Sequence, residues 1–469
     1  MIDIIIEISN YLMIILFALY TFESFWGFRR NISREKRDRI LSRQCILVYL
    51  IHLVGFNIIY IATDDINVII FYFAQVALLT VIQTGYVFFY ENASRMLTNH
   101  LCMFLALGFV MLTRLSFQKA IRQFAIAVVS VVLGFIVPLC VKKVGFVRKM
   151  YLLFAVAGIA GLLLVAIAGA ISYGAKLSIS IAGISIQPTE LIKIAFVFFA
   201  AGMLYNDTSF KRVCITTVLA AIHVLILVFS KDLGAALIFF ITYLVILYVA
   251  TRKLFYFAAG ILSGGIASVV AYNLFAHVRV RVLAWENPLA VVDNEGYQVC
   301  QSLFGIGTGG WLGMGLYQGN PNKVPVVEED FIFSAIAEEL GGIFALCLIM
   351  VCASCFMLFM NIAMQMRDQF YKLLALGLGI VYGFQVILTI GGAIKFIPST
   401  GVTLPLVSYG GSSLLSSIII FAVIQGLYIL KQSEGESGNT DGKKTRKKQT
   451  GTKAKRKKTG FDTEVQDFS

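Results

Sequence analysis

The chain reads as an all-α polytopic membrane protein of about thirteen transmembrane helices, with a large extracytoplasmic loop late in the sequence. Three observations predict this class. Of 469 residues, 58% are hydrophobic and only 14% are charged. Apolar runs of about 20 residues, the length that crosses a bilayer core, recur along the sequence. No ordinary soluble enzyme combines so apolar a composition with so few charges.

Taken in order, spans are expected near 8–28, 45–63, 67–90, 99–115, 121–141, 150–172, 188–205, 213–230, 233–250, 254–275, 331–357, 371–392 and 412–430. The first, MIDIIIEISNYLMIILFALY, lacks the basic start and small-residue cleavage site of a signal peptide and is expected to remain as a helix. Basic segments set the sidedness. The loop RRNISREKRDRILSR (29–43), KKVGFVRK (142–149) and the tail KKTRKKQTGTKAKRKK (443–458) all belong on the cytoplasmic side. An odd count then places the N-terminus outside and the tail inside. The tail accounts for much of the net charge of +13 and reads as a disordered anchor to an anionic leaflet. It has no interleaved aromatics to stack bases, so nucleic acid is not an expected partner.

The same alternation puts three long non-helical segments outside, at 172–188, 277–329 and 391–411. Ordered loops of this length are commonly functional. The eight cysteines lie mostly in apolar runs, and the CxxC of Cys352 and Cys355 falls within one span with no second ligand pair, so both read as small core residues. None of the four histidines has metal-site spacing. GIGTGG (305–310) fits GxGxxG, but no strand-turn-helix unit surrounds it, and a nucleotide site is not expected.

Four stretches carry the functional reading: QPTELIK (187–193), KDLGAALIF (231–239), GYQVCQSLFGIGTGGWLGMGL (296–316) running on to EEDFIFSAIAEELG (328–341), and IPSTGVTLPLVSYGGSS (397–413). In this order and spacing they resemble the FtsW/RodA/SpoVE family, the SEDS proteins of bacterial envelope synthesis. The resemblance divides the chain into an extra N-terminal region (1–98), a ten-span core (99–431) that contains the large loop (277–330), and the tail (432–469). It implies a multi-pass glycosyltransferase of the bacterial cytoplasmic membrane, serving division, elongation or sporulation. Its substrate would be lipid II, an undecaprenyl-pyrophosphate-linked disaccharide-pentapeptide, polymerised at the outer face with inversion at the donor carbon. A class B penicillin-binding protein, with other division or elongation membrane proteins, would be its partner.

By the same resemblance Asp330 is the catalytic carboxylate, although Glu328 and Glu329 stand where the family has a His-Thr pair. A carboxylate at the water boundary can take the proton of an acceptor hydroxyl, and neighbouring like charges raise its proton affinity. The plainer reading is that these acids complement a helix dipole. If Asp330 starts a continuous helix, it shares a face with Ser334, Ala337 and Gly341, and Glu338 and Glu339 lie about 12 Å further into the membrane. Carboxylates at that depth need partners. Glu190 and Lys193 can pair at i, i+3. With Asp232, Lys395, Thr400, Ser408, Tyr409 and Ser412 they form the candidate substrate-binding set. The remaining signature-loop matches are Pro398, Gly401, Thr403, Pro405, Gly410, Gly411 and Ser413. The leaving pyrophosphate needs positive charge. Arg279 and Lys323 are the leading candidates, with Arg281, Lys395 and Lys193 also on the outer side, or a divalent cation such as Mg2+ or Mn2+. Two other classes would suit a polytopic chain: a lipid II flippase, which should concentrate polar groups at the midplane, and a scaffold without catalysis.

Overall fold

The computed structural model describes residues 2–29, 32–142, 147–172, 175–181 and 184–433. All but the first two residues of the tail (432–469) lie outside them, as does part of the 142–149 loop.

Among the described residues fifteen α-helices form in order: α1 (Ile2–Trp26), α2 (Arg34–Thr63), α3 (Ile66–Phe89), α4 (Arg95–Leu115), α5 (Phe117–Lys142), α6 (Tyr151–Ala168), α7 (Thr189–Leu204), α8 (Phe210–Phe229), α9 (Leu233–Thr251), α10 (Leu254–Leu274), α11 (Ala276–Glu286), α12 (Tyr297–Gly309), α13 (Ile332–Gln365), α14 (Gln369–Ala393) and α15 (Gly411–Ser433). Twelve of these are long and apolar enough to cross a membrane. The thirteenth expected span is α7, with 16 residues. At 1.5 Å per residue it measures about 24 Å, short of a full hydrocarbon core.

Ser, Asp and polar loop residues start the helices where the chain leaves lipid. Ser33 accepts from Lys36 N, Asp65 from Asn67 N, Ser94 from Leu97 N, and Asp368 from Phe370 N. Each satisfies one of the amides a helix start leaves unpaired. Helix α4 is the centre of the bundle, buried throughout its spanning window. Helices α2, α3, α5 and α13 surround it. Helix α10 is the opposite case: no residue of it is buried. It meets α9 where Gly260 lies against Leu244 and Gly264 against Phe240.

By alternation of the spans, the described connections at 64–65, 116, 169–172, 175–181, 184–188, 230–232, 275–331 and 394–410 fall at one end, the loop-rich end. Two of the three segments expected to lack regular structure have some. Residues 277–329 contain most of α11 and all of α12. Residues 172–188 carry part of an antiparallel meander of β1 (Ala170–Ser172), β2 (Ala175–Ile181) and β3 (Ile184–Ile186), with Ile179 opposite Ile186 and Ile171 opposite Lys176.

The continuous helix expected from Asp330 inward does not form. Helix α13 starts at Ile332 and breaks at Gly341, whose φ of 90° and ψ of 166° are not helical. Asp330 therefore precedes the helix rather than sharing a face with Ser334. A left-handed φ without strain requires glycine, and space requires it too: a Cβ on Gly341 would lie 2.4 Å from Gly313 N. The glycines of GIGTGGWLGMG now have a role. Met314 N and Gly315 N donate to the carbonyls of Glu338 and Glu339 at 3.0 and 2.8 Å, and Gly342 N donates to Gly310 O at 2.8 Å. These bonds satisfy backbone groups that the break exposes.

Candidate active site

Asp330 sits half-buried at the loop-rich end, immediately before α13. The helix has no side-chain cap, so Asp330 does not serve as one. Burial pushes its carboxyl up to about 7, Glu329 and Glu328 push the same way, and its own backbone amide and Arg281 pull it down. Arg281, on α11, feels the charge of both Asp232 and Asp330. It also donates to Ser399 O at 3.1 Å, which fixes α11 to the signature loop. Trp285, one turn on, donates to Lys395 O at 3.2 Å.

Asp232 caps α9 through Ala235 N at 3.0 Å, and its other carboxylate oxygen has no hydrogen-bond partner among the described residues. Burial pushes it up to about 6, against the Ala235 amide. Glu190 and Lys193, in the first turn of α7, form the expected i, i+3 pair at 2.6 Å. Lys193 also donates to Gln385 Oε1 at 2.8 Å, and Ser416 Oγ donates to Glu190 Oε2 at 2.9 Å. The pair thus ties α7 to α14 and α15. Both charges act on Asp232, Glu190 raising its proton affinity and Lys193 lowering it.

The signature loop 397–413 supports the aspartate from behind. Ser408 Oγ donates to Glu329 O and accepts from Leu404 N, and Tyr409 N donates to Glu328 O at 2.7 Å. Glu328 pairs with Lys119 of α5, so both residues before Asp330 are held. The loop reaches below the end of the bundle: a Cβ on Gly108, seven residues before the end of α4, would lie 2.8 Å from the carbonyls of Leu406 and Val407. Irregular backbone at that depth is tolerable only inside protein, and residues 404–408 are buried. Ser412 Oγ accepts from Gln187 N at 2.9 Å. Thr400 Oγ1 is buried with no hydrogen-bond partner among the described residues, and Thr400 O lies against Gly234 at the start of α9.

The family model FTSW_RODA_SPOVE, described as "Cell cycle protein", matches residues 94–432. The chain belongs to the FtsW/RodA/SpoVE family. The match begins at the Ser94 cap of α4 and leaves α1 to α3 outside.

Among relatives of this family member, peptidoglycan glycosyltransferase RodA of Mycobacterium tuberculosis (strain ATCC 25618 / H37Rv) is 37% identical over 291 residues, covering 57% of this chain and 62% of the relative. Probable peptidoglycan glycosyltransferase FtsW of Shewanella sediminis is 32% identical over 318 residues, 65% of this chain and 76% of the relative. The match thus spans about three-fifths of the length of the mycobacterial proteins. In fold, the chain is similar to a chain solved in a study of a peptidoglycan synthase complex that coordinates polymerization and crosslinking, with a TM-score of 0.62, 24% identity, and coverage of 72% of this chain and 98% of that one. Thermus thermophilus RodA gives 0.54 at 22% identity, covering 72% and 96%.

The structure brings Asp330, Asp232, Glu190, Lys193, Ser408, Tyr409 and Ser412 into one loop-rich layer of this family member. Lys395 joins it through its backbone, at a left-handed φ of 59°. Among the described residues, the two leading cations form no ion pair with these acids. Arg279 is exposed and donates to Tyr272 O and Asn273 O at the end of α10. Lys323 is exposed in a 3-10 turn. Arg281 is the arginine that faces Asp330.

Glu338 and Glu339 are corrected as well. Because the helix breaks at Gly341, they stay in the loop-rich layer instead of descending the bundle. Glu339 Oε1 accepts from Arg114 Nε at 2.9 Å and from Tyr317 N at 3.1 Å, and Glu338 Oε1 accepts from Asn320 N at 2.7 Å. Arg114 is the second-last residue of α4, and its guanidinium also lies 4.2 Å from the Tyr317 ring centroid. Arg114 and Lys119, the partners of Glu339 and Glu328, lie on either side of the α4–α5 turn. The 332–340 helix therefore runs along the end of the bundle. No group of three or more His, Cys, Asp or Glu able to hold a metal occurs among the described residues.

Proposed function

We propose that this protein polymerises lipid II into glycan strands at the outer face of the bacterial cytoplasmic membrane. The carrying observation is Asp330: a half-buried carboxylate of raised proton affinity that caps no helix, has no side-chain hydrogen-bond partner among the described residues, and faces Arg281. The chain's similarity to proteins named peptidoglycan glycosyltransferase RodA and FtsW supports the same chemistry.

Asp330 takes the proton of the acceptor hydroxyl as that oxygen attacks the donor's anomeric carbon. The bond from that carbon to the pyrophosphate breaks, and the lipid pyrophosphate leaves with the electron pair. Attack opposite an α-linked pyrophosphate gives a β-linked, inverted product. Arg281 offers fixed positive charge to the leaving group, where such preorganised charge acts most strongly. A divalent cation, Mg2+ or Mn2+, would arrive with the pyrophosphate, because such ions are commonly held by one or two carboxylates plus substrate phosphates. The open side of α10 leads along lipid to α11 and Arg281, and suits the polyprenyl tail. A class B penicillin-binding protein is the partner that would crosslink the product.

The discriminating experiment supplies lipid II in detergent to the purified chain with its class B partner. Glycan ladders are expected. No ladders, together with lipid II crossing liposomes that hold the chain, would establish the transporter instead.

A further inference from the structure

Helix α1 lies outside the residues that match the family, 94–432, yet it is built against the segment that carries Asp330. Asn10, 2% exposed, donates from Nδ2 to Leu312 O at 2.7 Å. A polar side chain in a membrane helix is costly unless it is satisfied, which makes its partner informative. Here the partner belongs to the loop between α12 and α13. Ile6 packs beside Gly315 of the same loop. Further along, Phe17 stacks on Phe344 with ring centroids 4.3 Å apart. Tyr20 shares a 2.9 Å hydrogen bond with His100, whose other ring nitrogen lies 3.2 Å from Ser354 Oγ. Helix α1 therefore grips α13 beyond the Gly341 break and the loop that spans that break.

That loop in turn holds the 332–340 helix. Leu312 sits between two sets of backbone bonds: Gly342 N and Ile343 N donate to Gly310 O and Trp311 O at 2.8 and 3.1 Å, and Met314 N and Gly315 N donate to Glu338 O and Glu339 O. These bonds join the backbone on either side of Leu312 to the residues just past the break and to the C-terminal end of the 332–340 helix. Its other end begins two residues after Asp330. Over nine residues the helix is about 13 Å long, a short rigid lever.

We propose that α1 is a positioning element for Asp330, acting from Asn10 through Leu312 and its flanking backbone bonds to the 332–340 helix. This rests on the reading of Asp330 as the base. Asn10 touches no substrate; it fixes where the carboxylate points, and misplacement by an ångström at a reacting group is enough to slow turnover. The additional N-terminal region is then part of the catalytic scaffold.

The test uses the full chain with its class B partner and the substitutions Asn10→Leu and Asn10→Ala, both compatible with a lipid-embedded helix. Loss of this one hydrogen bond is expected to lower kcat for lipid II polymerisation roughly three- to tenfold while KM stays unchanged. Hydrogen exchange should quicken at 312–315 and 328–340. Tyr11→Phe, which alters a bond to Glu7 on the exposed side of the same helix, should behave as the parent. Unchanged exchange at 328–340, an unchanged kcat, or a rise in KM alone would overturn the proposal. If the parent complex makes no glycan, it is the functional reading that fails, and the exchange comparison still decides whether α1 holds the segment.

Discussion

Asp330 is a carboxylate that its surroundings have made basic, and the cause is burial first and neighbouring acids second. A base must be deprotonated to act, so activity is lost as pH falls through its folded value. With that value at about 7, kcat/KM should climb between about pH 6 and 8. A limb near 4 in the pH–rate profile would count against the assignment. Arg281 pulls the carboxyl down, so Arg281→Met should move this limb to higher pH. It should also slow turnover by about 10²- to 10³-fold, the usual effect of removing one charge-stabilising group. The three acids of EEDF were legible in the sequence, and their mutual repulsion was expected. The choice of Arg281 over Arg279 was not, because it depends on helix phase. Residues two apart on a helix point about 200° apart, so only one of the two can face the aspartate, and the phase is set by the docking of Trp285 and Arg281 on residues 395 and 399.

Among the elements, the broken α13 decides most of the site. The sequence shows the means, a Gly-Gly pair at 341–342 opposite the glycines of 305–315, but an unbroken apolar run hides the break itself. Gly341→Ala should destabilise the protein by at least about 1–3 kcal/mol through backbone strain alone, and activity should fall with it. Thermal unfolding in detergent would measure this; a midpoint equal to the parent's would contradict the break. The meander had a readable signal in the alternation of Leu177, Ile179 and Ile181, then Ile184 and Ile186, set within a loop rich in Gly and Ser. The i, i+3 spacing of Glu190 and Lys193 did foretell their pairing. Lys193→Met would leave Glu190 without its counter-charge in a tight setting, and should cost about 3–5 kcal/mol, measurable in the same unfolding assay.

At the scale of the molecule, span count and antiparallel order follow from hydropathy, because a bilayer imposes helix length directly. The short α7 obeys the pattern while falling below the length. What hydropathy could not show is that α2 and α3, outside the family's shared region, pack on α4 while α1 reaches the loop-rich layer through Asn10, since lipid-facing and helix-facing residues are equally apolar. Sidedness is testable in cells. In a background without native cysteines, Lys323→Cys should react with an impermeant maleimide from outside, and Arg367→Cys only after permeabilisation. The reverse pattern would place the site in the cytoplasm, away from a lipid II acceptor. The central claim, that Asp330 is the base of a glycan polymerase, is tested most directly by Asp330→Asn in the purified complex with lipid II. The account predicts an intact complex that makes no glycan ladder, and ladders persisting in the variant would contradict it.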